Sequence, residues 1–273
     1  MADDFEPSGL ATVAAGERPA ERELLGRLPE VLAAYRKLDP GDRRRGAAVL
    51  RTLTGAMVEA LERFPPEGAG RVGALETPAD LDRYTYGNAG CVGEYWTDMV
   101  LAHRPRCADR WNPAAMRARG VRFGQGLQLV NVLRDLPRDL RIGRCYLPRA
   151  ELAALGLTPE DLLDPRALPR VRPLLDSLLG EAHARLDDGL AYTLAVPRVE
   201  WRLRLACVWP LLIGLATLAR LARSEALLDP AVVVKVSRAE VRGILGRSAV
   251  VVGSDRGLRR CAQRLATSLR DEP

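Results

Sequence analysis

Apolar residues recur at intervals of three and four along most of this chain, which is the spacing of one face of an α-helix. In segment 21–37 they are Leu24, Leu28, Val31, Leu32 and Tyr35, and in segment 42–64 they are Val49, Leu50, Leu53, Met57 and Leu61. Prolines and glycines divide the rest into pieces of helical length. The pattern predicts further helices from residue 78 onward and over 113–135, 169–193, 198–224 and 254–270.

Signals for β-strands are sparse. The one β-branched run, residues 231–236, is short and is interrupted by Lys235. By contrast, Thr77 followed by Pro78 predicts a helix start, because threonine caps helices and proline fits the first helical turn. A proline-rich connector spans 147–169, and no internal repeat or low-complexity linker is present. The sequence therefore predicts one all-α domain over residues 1–273.

Composition excludes several classes of protein. The chain is 47% hydrophobic and 28% charged, which is too apolar for a disordered protein and too charged for a membrane bundle. The longest uncharged stretch, 205–219, is shorter than the roughly 20 residues that span a bilayer, so it predicts a buried core helix. A net charge of +6 favours anionic partners. No basic run interleaves with aromatic residues, so a nucleic-acid partner is not expected.

The cysteines and the N-terminus bear on the compartment. Five cysteines are irregularly spaced without a CxxC pair, which predicts free thiols and a reducing environment. No apolar signal region begins the chain. We therefore expect a cytoplasmic protein.

A glycine-rich segment, residues 80–96, otherwise has the pattern of a helix. Gly87, Gly90 and Gly93 each cost about 0.5–1 kcal/mol relative to alanine in a helix interior, so something must approach the backbone closely. Two explanations remain open at this point. The glycines allow either tight packing of two helices or a ligand channel along a bare helix face.

A second segment, residues 124–148, combines polar and apolar positions in an unusual way. Gln128, Asn131, Asp135 and Asp139 recur at intervals of three and four, which places two amides and two carboxylates on one helical face. Nearly all other positions are apolar, which is typical of a buried helix whose polar stripe faces a cavity. Oxygen ligands without cysteine or histidine suit a hard cation such as Mg²⁺. Taken alone, the spacing also fits a solvated surface ladder of aspartates and arginines.

Together the two segments resemble the squalene/phytoene synthase family of head-to-head prenyl transferases. That family's pattern is roughly Y-C-Y-x-V-A-G-x-V-G, then L-Q-x-x-N-I-x-R-D-x-x-x-D, then G-R-x-Y-x-P. The matching residues here are Tyr84, Tyr86, Ala89, Gly90, Val92, Gly93, Gln128, Asn131, Arg134, Asp135, Asp139, Gly143, Arg144, Tyr146 and Pro148. The resemblance implies an all-α isoprenoid-synthase fold, a helical bundle around a central cavity.

The resemblance also implies two aspartate-rich metal motifs. Asp135 and Asp139 match the second. The first, often A-D-T-x-E-D, is similar to residues 2–7, where Asp3 and Glu6 match and Pro7 replaces the second aspartate. Family members carry more residues before this motif, so the bundle is expected to lack its N-terminal helices and the 273-residue chain to show little turnover. An acidic start of this kind is also typical of a solvated tail.

By resemblance, Mg²⁺ is held by Asp135, Asp139, Asp3 and Glu6 against the diphosphates of two prenyl substrates. Tyr84 lies near the reacting carbons. Gln128, Asn131 and Arg134 bind the diphosphates, and Ala89, Gly90, Val92 and Gly93 line the tunnel for the prenyl tails. Lys235 and Arg238 match a region that binds NADPH in reducing members, although two solvated basic residues are the simpler interpretation.

The first hypothesis is condensation of two farnesyl diphosphates to squalene. Phytoene synthase, acting on two geranylgeranyl diphosphates, and dehydrosqualene or presqualene diphosphate synthase are the alternatives within the family. From another class, an inactive helical protein that binds prenyl lipids or a partner stays open. The apolar product and the basic residues in 254–270 suggest peripheral association with the inner face of a membrane.

Overall fold

The computed structural model describes residues 19–267. It separates into two compact units, residues 1–51 and 52–273, which are considered individually. In the described part of the first unit lie helices α1, Pro19–Gly26, and α2, Leu28–Arg36. Helix α3, Pro40–Arg63, begins in the first unit and ends in the second. The tyrosine hydroxyl of Tyr35 donates a 2.5 Å hydrogen bond to the carbonyl of Arg43 within the first unit.

The second unit contains the remaining elements. They are β1, Gly73–Ala74; α4, Pro78–Thr85; a π-helical turn, Tyr86–Gly90; α5, Cys91–His103; α6, Pro105–Ala108; α7, Pro113–Arg141; β2, Arg144–Cys145; α8, Arg149–Ala154; two 3₁₀ turns, Glu160–Leu163 and Pro165–Ala167; α9, Leu168–Ala195; α10, Trp201–Arg223; α11, Arg238–Val251; and α12, Asp255–Thr267. The all-α prediction is confirmed, since 77% of the described residues are helical.

Helix α7 lies at the centre of the second unit. It packs against α5 and α9, and α9 in turn packs against α10. Thirteen of its residues are buried, among them Leu129, Val132, Leu133 and Leu136. The two short strands pair in parallel, with Gly73 opposite Arg144, and this pairing fixes the chain directly after α7.

Local sequence signals explain how several helices begin. Thr77 caps α4: its hydroxyl accepts a hydrogen bond from the backbone N–H of Asp80, and the Asp80 carboxylate accepts one from the backbone N–H of Thr77. This reciprocal capping box confirms the predicted start of that helix. A second capping box, between Ser237 and Glu240, begins α11.

Three predictions about helix boundaries were wrong. The first predicted helix is two helices, which meet at Arg27. Helix α7 does not end near Asp135 but runs through Pro137 to Arg141, because Leu136 and Pro137 are buried in the core and packing outweighs the local preference of proline. No helix was predicted over 238–251, where α11 lies.

Helix α10 is the only helix in the described part of the chain that is long and apolar enough to cross a membrane. Two thirds of its most apolar window is buried within the protein. This agrees with the prediction that residues 205–219 form a core helix. The five cysteines are also free thiols, as predicted, and all except Cys261 are buried.

Candidate active site

The predicted polar stripe lies on the second half of α7. Gln128, Asn131, Asp135 and Asp139 are all half-buried there, whereas the intervening Leu129, Val130, Val132 and Leu133 are buried. Because α7 continues through Pro137, the two carboxylates lie one helical turn apart on the same side of one helix. The surface-ladder alternative does not describe this helix, which is surrounded by core residues on its other sides.

The two carboxylates have different electrostatic surroundings. Arg134 binds Asp135 with two hydrogen bonds, Nε to Oδ1 at 2.9 Å and Nη2 to Oδ2 at 2.6 Å. Asp139 has no such partner among the described residues. Burial, and next the negative charge of Asp135, raise the pKa of Asp139 to about 6, against the opposing effects of Arg138, Arg144 and Arg134. The positive charges near Asp135 and Asp139 therefore do not fully balance the two carboxylates.

Two stacked tyrosines lie beside this stripe. The rings of Tyr84 and Tyr146 are 4.4 Å apart between centroids, and Phe64 packs edge-on against Tyr146 at 5.1 Å. Burial is the main cause that raises the pKa of the Tyr84 hydroxyl well above its ordinary value; Tyr146 and Asp139 raise it further, and the Gln128 side chain opposes them. Tyr84 therefore stays protonated at neutral pH and lies near both Gln128 and Asp139.

The first half of α7 is packed through glycine. A side chain on Gly93 of α5 would collide with the carbonyl oxygen of Gly120, and one on Gly124 would collide with the carbonyl oxygen of Ala89. An added Cβ on Gly124 would also lie 3.1 Å from the Cα of Gly90, whereas one on Gly90 would meet side chains, among them that of Gln125 at 3.0 Å. These residues bring the two backbones into direct contact. Tight helix packing, one of the two explanations for the glycines, is therefore correct.

The ligand-channel explanation also finds support, because an apolar cavity of about 390 Å³ lies beside this contact. Ala89, Val92 and Gly93 line it, as the resemblance implied. Gly90 and Gly87 are not in its wall. The other lining residues come from α5, α7, α9, α10 and the π-turn: Asn88, Trp96, Gly120, Phe123, Gly124, Leu127, Tyr192, Ala206, Cys207 and Pro210.

Two polar groups in the cavity wall already have partners. The Asn88 side-chain amide, in the π-turn, donates a 2.8 Å hydrogen bond to the backbone carbonyl of Tyr84. The Tyr192 hydroxyl shares a 3.0 Å hydrogen bond with Thr97. Asn88 thus connects the cavity wall to the backbone of Tyr84, one of the two stacked tyrosines.

A buried arginine that the sequence did not predict supports this segment. Arg185 of α9, only 7% exposed, packs its Cβ where Gly126 lacks a side chain and reaches Asp82 at 2.8 Å. It also bonds Glu181, and Gln125 donates hydrogen bonds to both the carbonyl and the carboxylate of Asp82. Since Asp82 precedes Tyr84 by two residues, α7 and α9 both hold the tyrosine-bearing segment. Nothing in the sequence indicates this pairing, because its partners are about 40 and 100 residues apart.

The donor set of the stripe fits a hard divalent cation. Carboxylate oxygens are the ligands Mg²⁺ prefers, and Mg²⁺ retains waters and takes further oxygens from substrate phosphates. No group of three or more metal-ligating side chains occurs in residues 19–267. Of the four carboxylates that the resemblance places on the metal, Asp135 and Asp139 are the two in this part of the chain. Asp3 and Glu6 lie outside the described residues.

Lys235 and Arg238, the two residues proposed to contact NADPH, lie apart from this site. Lys235 is exposed in the irregular stretch before α11, and Arg238 is the first, exposed residue of that helix. Neither lines the cavity. Arg144 was matched to the family pattern but given no role; its Nε is buried without a hydrogen-bond partner among the described residues, and its charge lowers the pKa of Asp139.

A comparison with known families decides the assignment. The sequence profile of the squalene/phytoene synthase family matches residues 8–240. The chain belongs to this family. Squalene/phytoene synthases are prenyltransferases, and the predicted membership is confirmed.

Curated relatives of this chain are similar to it over part of their length. The chain is 38% identical over 117 residues to a phytoene synthase of Thermus thermophilus and 36% identical over 113 residues to a bifunctional lycopene cyclase/phytoene synthase of Gibberella fujikuroi. The matched segments are 43% and 41% of this chain, but only 37% and 20% of those proteins.

Solved structures share the fold. TcSQS in complex with the ligand E5700 superposes with a TM-score of 0.68 at 18% identity, covering 92% of this chain and 75% of that one. Squalene synthase HpnC from Alicyclobacillus acidocaldarius gives 0.52 at 24% identity, covering 79% and 69%. At these identities the likeness establishes the helical isoprenoid-synthase fold.

Proposed function

We propose that this squalene/phytoene synthase condenses two molecules of farnesyl diphosphate head to head, with Mg²⁺ as cofactor. One arrangement supports this most strongly. A helix that carries two carboxylates on its second half lines an apolar cavity with its first half. A prenyl diphosphate has the same division, since its charged head needs cations and its tail needs an apolar enclosure.

Each end of the site has a part in binding. Asp135 and Asp139 would hold Mg²⁺, which supplies positive charge to the diphosphate as it leaves. Asp3 and Glu6 are proposed to complete the metal site from the first motif. Arg134, Gln128 and Asn131 orient the diphosphate oxygens, and the free Nε of Arg144 is a further donor nearby. The cavity encloses the tail, at about 25 cal/mol per Å² of apolar area removed from water.

The reaction begins when the allylic C–O bond of one substrate ionises. Diphosphate leaves, and the double bond of the second substrate attacks the carbocation; loss of one proton gives a cyclopropylcarbinyl diphosphate. The stacked ring of Tyr84 offers its π face to the cation. Because its hydroxyl stays protonated, Tyr84 does not add a competing anion. The apolar wall excludes water that would trap the cation.

Squalene forms only if a hydride replaces the second diphosphate. NADPH is the proposed donor, with Lys235 and Arg238 as candidate contacts. The names of the curated relatives favour a second candidate, phytoene synthesis from two geranylgeranyl diphosphates without reduction. The cavity would then have to hold a tail five carbons longer.

Purified protein should be incubated with farnesyl or geranylgeranyl diphosphate and Mg²⁺, with and without NADPH, and the extracted products identified by mass spectrometry. The proposal expects a C30 hydrocarbon from farnesyl diphosphate only when NADPH is present, and a cyclopropylcarbinyl diphosphate without it. If the protein converts geranylgeranyl diphosphate to a C40 product in preference to converting farnesyl diphosphate, the second candidate is supported. Because the 273-residue chain is expected to show little turnover, absence of any condensation product from an N-terminally extended version as well would refute both.

A further inference from the structure

The net charge of the chain is concentrated in one segment. Residues 235–267 contain eight basic and two acidic side chains, a formal charge of +6, while the rest of the chain has 33 of each sign. This segment comprises a short irregular stretch and helices α11 and α12. The excess of +6 that the composition suggested for the whole protein is therefore a local property.

All eight basic side chains of this segment are exposed: Lys235, Arg238, Arg242, Arg247, Arg256, Arg259, Arg260 and Arg264. The opposite sides of the two helices are buried, at Ile244 and Ser248 in α11 and at Leu258 and Ala262 in α12, and both helices pack on α10. On α12, Arg256, Arg260 and Arg264 follow each other at intervals of four and Arg259 lies three residues after Arg256, which places them on one side of the helix. We call this outward surface of α11 and α12 the basic face.

The two acidic residues of the segment do not neutralise the basic face. Glu240 accepts hydrogen bonds from Arg220 and from its own helix cap, Ser237. Asp255 accepts them from Arg198 at 2.6 Å and from the buried Arg204. Both carboxylates are thus paired with arginines outside the segment. Within the described residues, none of the eight exposed bases forms an ion pair.

An apolar side chain interrupts the basic face at its end. Val250, near the C-terminus of α11, is 86% exposed, and its position follows Arg242 and Gly246 on the outward side of the helix. The segment contains no aromatic residue on which a nucleic-acid base could stack. Exposed arginines with an exposed aliphatic tip are typical of surfaces that bind anionic lipid headgroups.

We propose that the basic face binds an anionic lipid bilayer. Each arginine near such a surface strengthens binding about fivefold at physiological salt, and the long side chains can lie along the interface while their charges contact phosphates. Val250 would enter the headgroup region. The proposal stands on charge and exposure and does not depend on the proposed reaction, although an enzyme with an apolar product would release it directly into the bilayer.

Sedimentation of the full chain with vesicles tests this. Two kinds of vesicle are compared, each at low and at high salt. One is pure phosphatidylcholine, and the other contains about 30% phosphatidylglycerol to imitate a strongly anionic membrane. We expect binding only to the anionic vesicles, and loss of binding at high salt. The triple variant Arg256→Gln/Arg259→Gln/Arg260→Gln should bind about 100-fold more weakly. The matched variant Arg104→Gln/Arg110→Gln/Arg119→Gln removes three exposed arginines outside the segment and should bind like the unaltered protein.

Two further measurements test whether lipid is the bound partner: the effect of a Val250 substitution on vesicle binding, and the binding of RNA. Val250→Ser should weaken vesicle binding severalfold, because it removes the apolar contact without changing the charge. Equal loss of binding in the two triple variants would overturn the proposal, since it would show a response to total charge alone. Failure to bind anionic vesicles, or binding of RNA in place of vesicles, would overturn it as well. Melting temperatures of all variants establish that each is folded.

Discussion

The two halves of helix α7 differ in what they present to their surroundings. Residues 120–127 are mostly glycine and apolar residues that touch the backbones of neighbouring helices and line the cavity. Residues 128–139 carry amides, an arginine and two carboxylates at half-buried positions. One continuous helix therefore positions an apolar enclosure and a charged site relative to each other without a hinge. Gly126, against which Arg185 packs, lies close to the boundary between these halves.

The largest effect should come from the charged half. Asp135→Asn or Asp139→Asn removes one of the proposed metal ligands, and we expect product formation to fall about 10³-fold. The melting temperature should not fall in either variant, because neither carboxylate supports the core. Asp98→Asn, which removes a carboxylate paired with Arg117 at the surface, is the control and should retain activity. Equal losses in all three variants would contradict the assignment of the charged half.

A substitution that disturbs the packing of the apolar half should mainly lower the free energy of unfolding. Gly93→Ala places a Cβ against the carbonyl oxygen of Gly120, so the two helices must separate. We expect the free energy of unfolding to fall by about 3 kcal/mol in chemical denaturation. Gly180→Ala is the matched control, because nothing lies within 4 Å of its added Cβ; it should raise stability by about 0.5–1 kcal/mol. A neutral Gly93→Ala would show that the backbone contact is not tight.

Substitution of Arg185 tests whether its contacts near this boundary support catalysis, and substitution of Arg204, another buried arginine, is the control. Arg185→Met frees the segment that carries Tyr84, and we expect both a lower melting temperature and a lower kcat, with KM nearly unchanged; Arg185→Lys should restore part of kcat. Arg204→Met removes a fully buried arginine that pairs with Asp255, away from Tyr84. It should lower the melting temperature only. A loss of kcat in both variants would indicate a general effect of destabilisation.

The smallest expected effect is the pH dependence of Asp139. Its pKa is raised from 3.8 to about 6, so between these values the folded state binds more protons than the unfolded state. Stability should therefore decline as pH rises from about 4 to 6, and the lost contribution stays absent above pH 6. Asp139→Asn should abolish this component, measured as the difference in melting temperature between pH 4.5 and 7. An identical pH dependence in both proteins would contradict the raised pKa.

Local patterns in the sequence predicted the polar stripe of α7 well. The spacing of Gln128, Asn131, Asp135 and Asp139 fixes their shared face, because all four lie on one regular helix. The cap at Thr77 was readable for the same reason. The capping box of Ser237 and Glu240 was equally readable and would have revealed α11.

Long-range contacts were beyond such patterns. The cavity wall combines Phe123, Tyr192 and Cys207 from three helices, and only the packed fold brings them together. The π-turn at 86–90 and the pairing of Arg185 with Asp82 likewise depend on tertiary packing. The helix break at Arg27 and the continuation of α7 through Pro137 show the same limit for boundaries.

The central claim is that the polar half of α7 binds a diphosphate together with Mg²⁺. Calorimetric titration of the full chain with inorganic pyrophosphate tests it most directly, because no turnover is needed. We predict binding that requires Mg²⁺ and that is lost in Asp135→Asn and in Asp139→Asn but retained in Asp98→Asn. Pyrophosphate binding that persists without Mg²⁺, or that survives both substitutions, would contradict the claim.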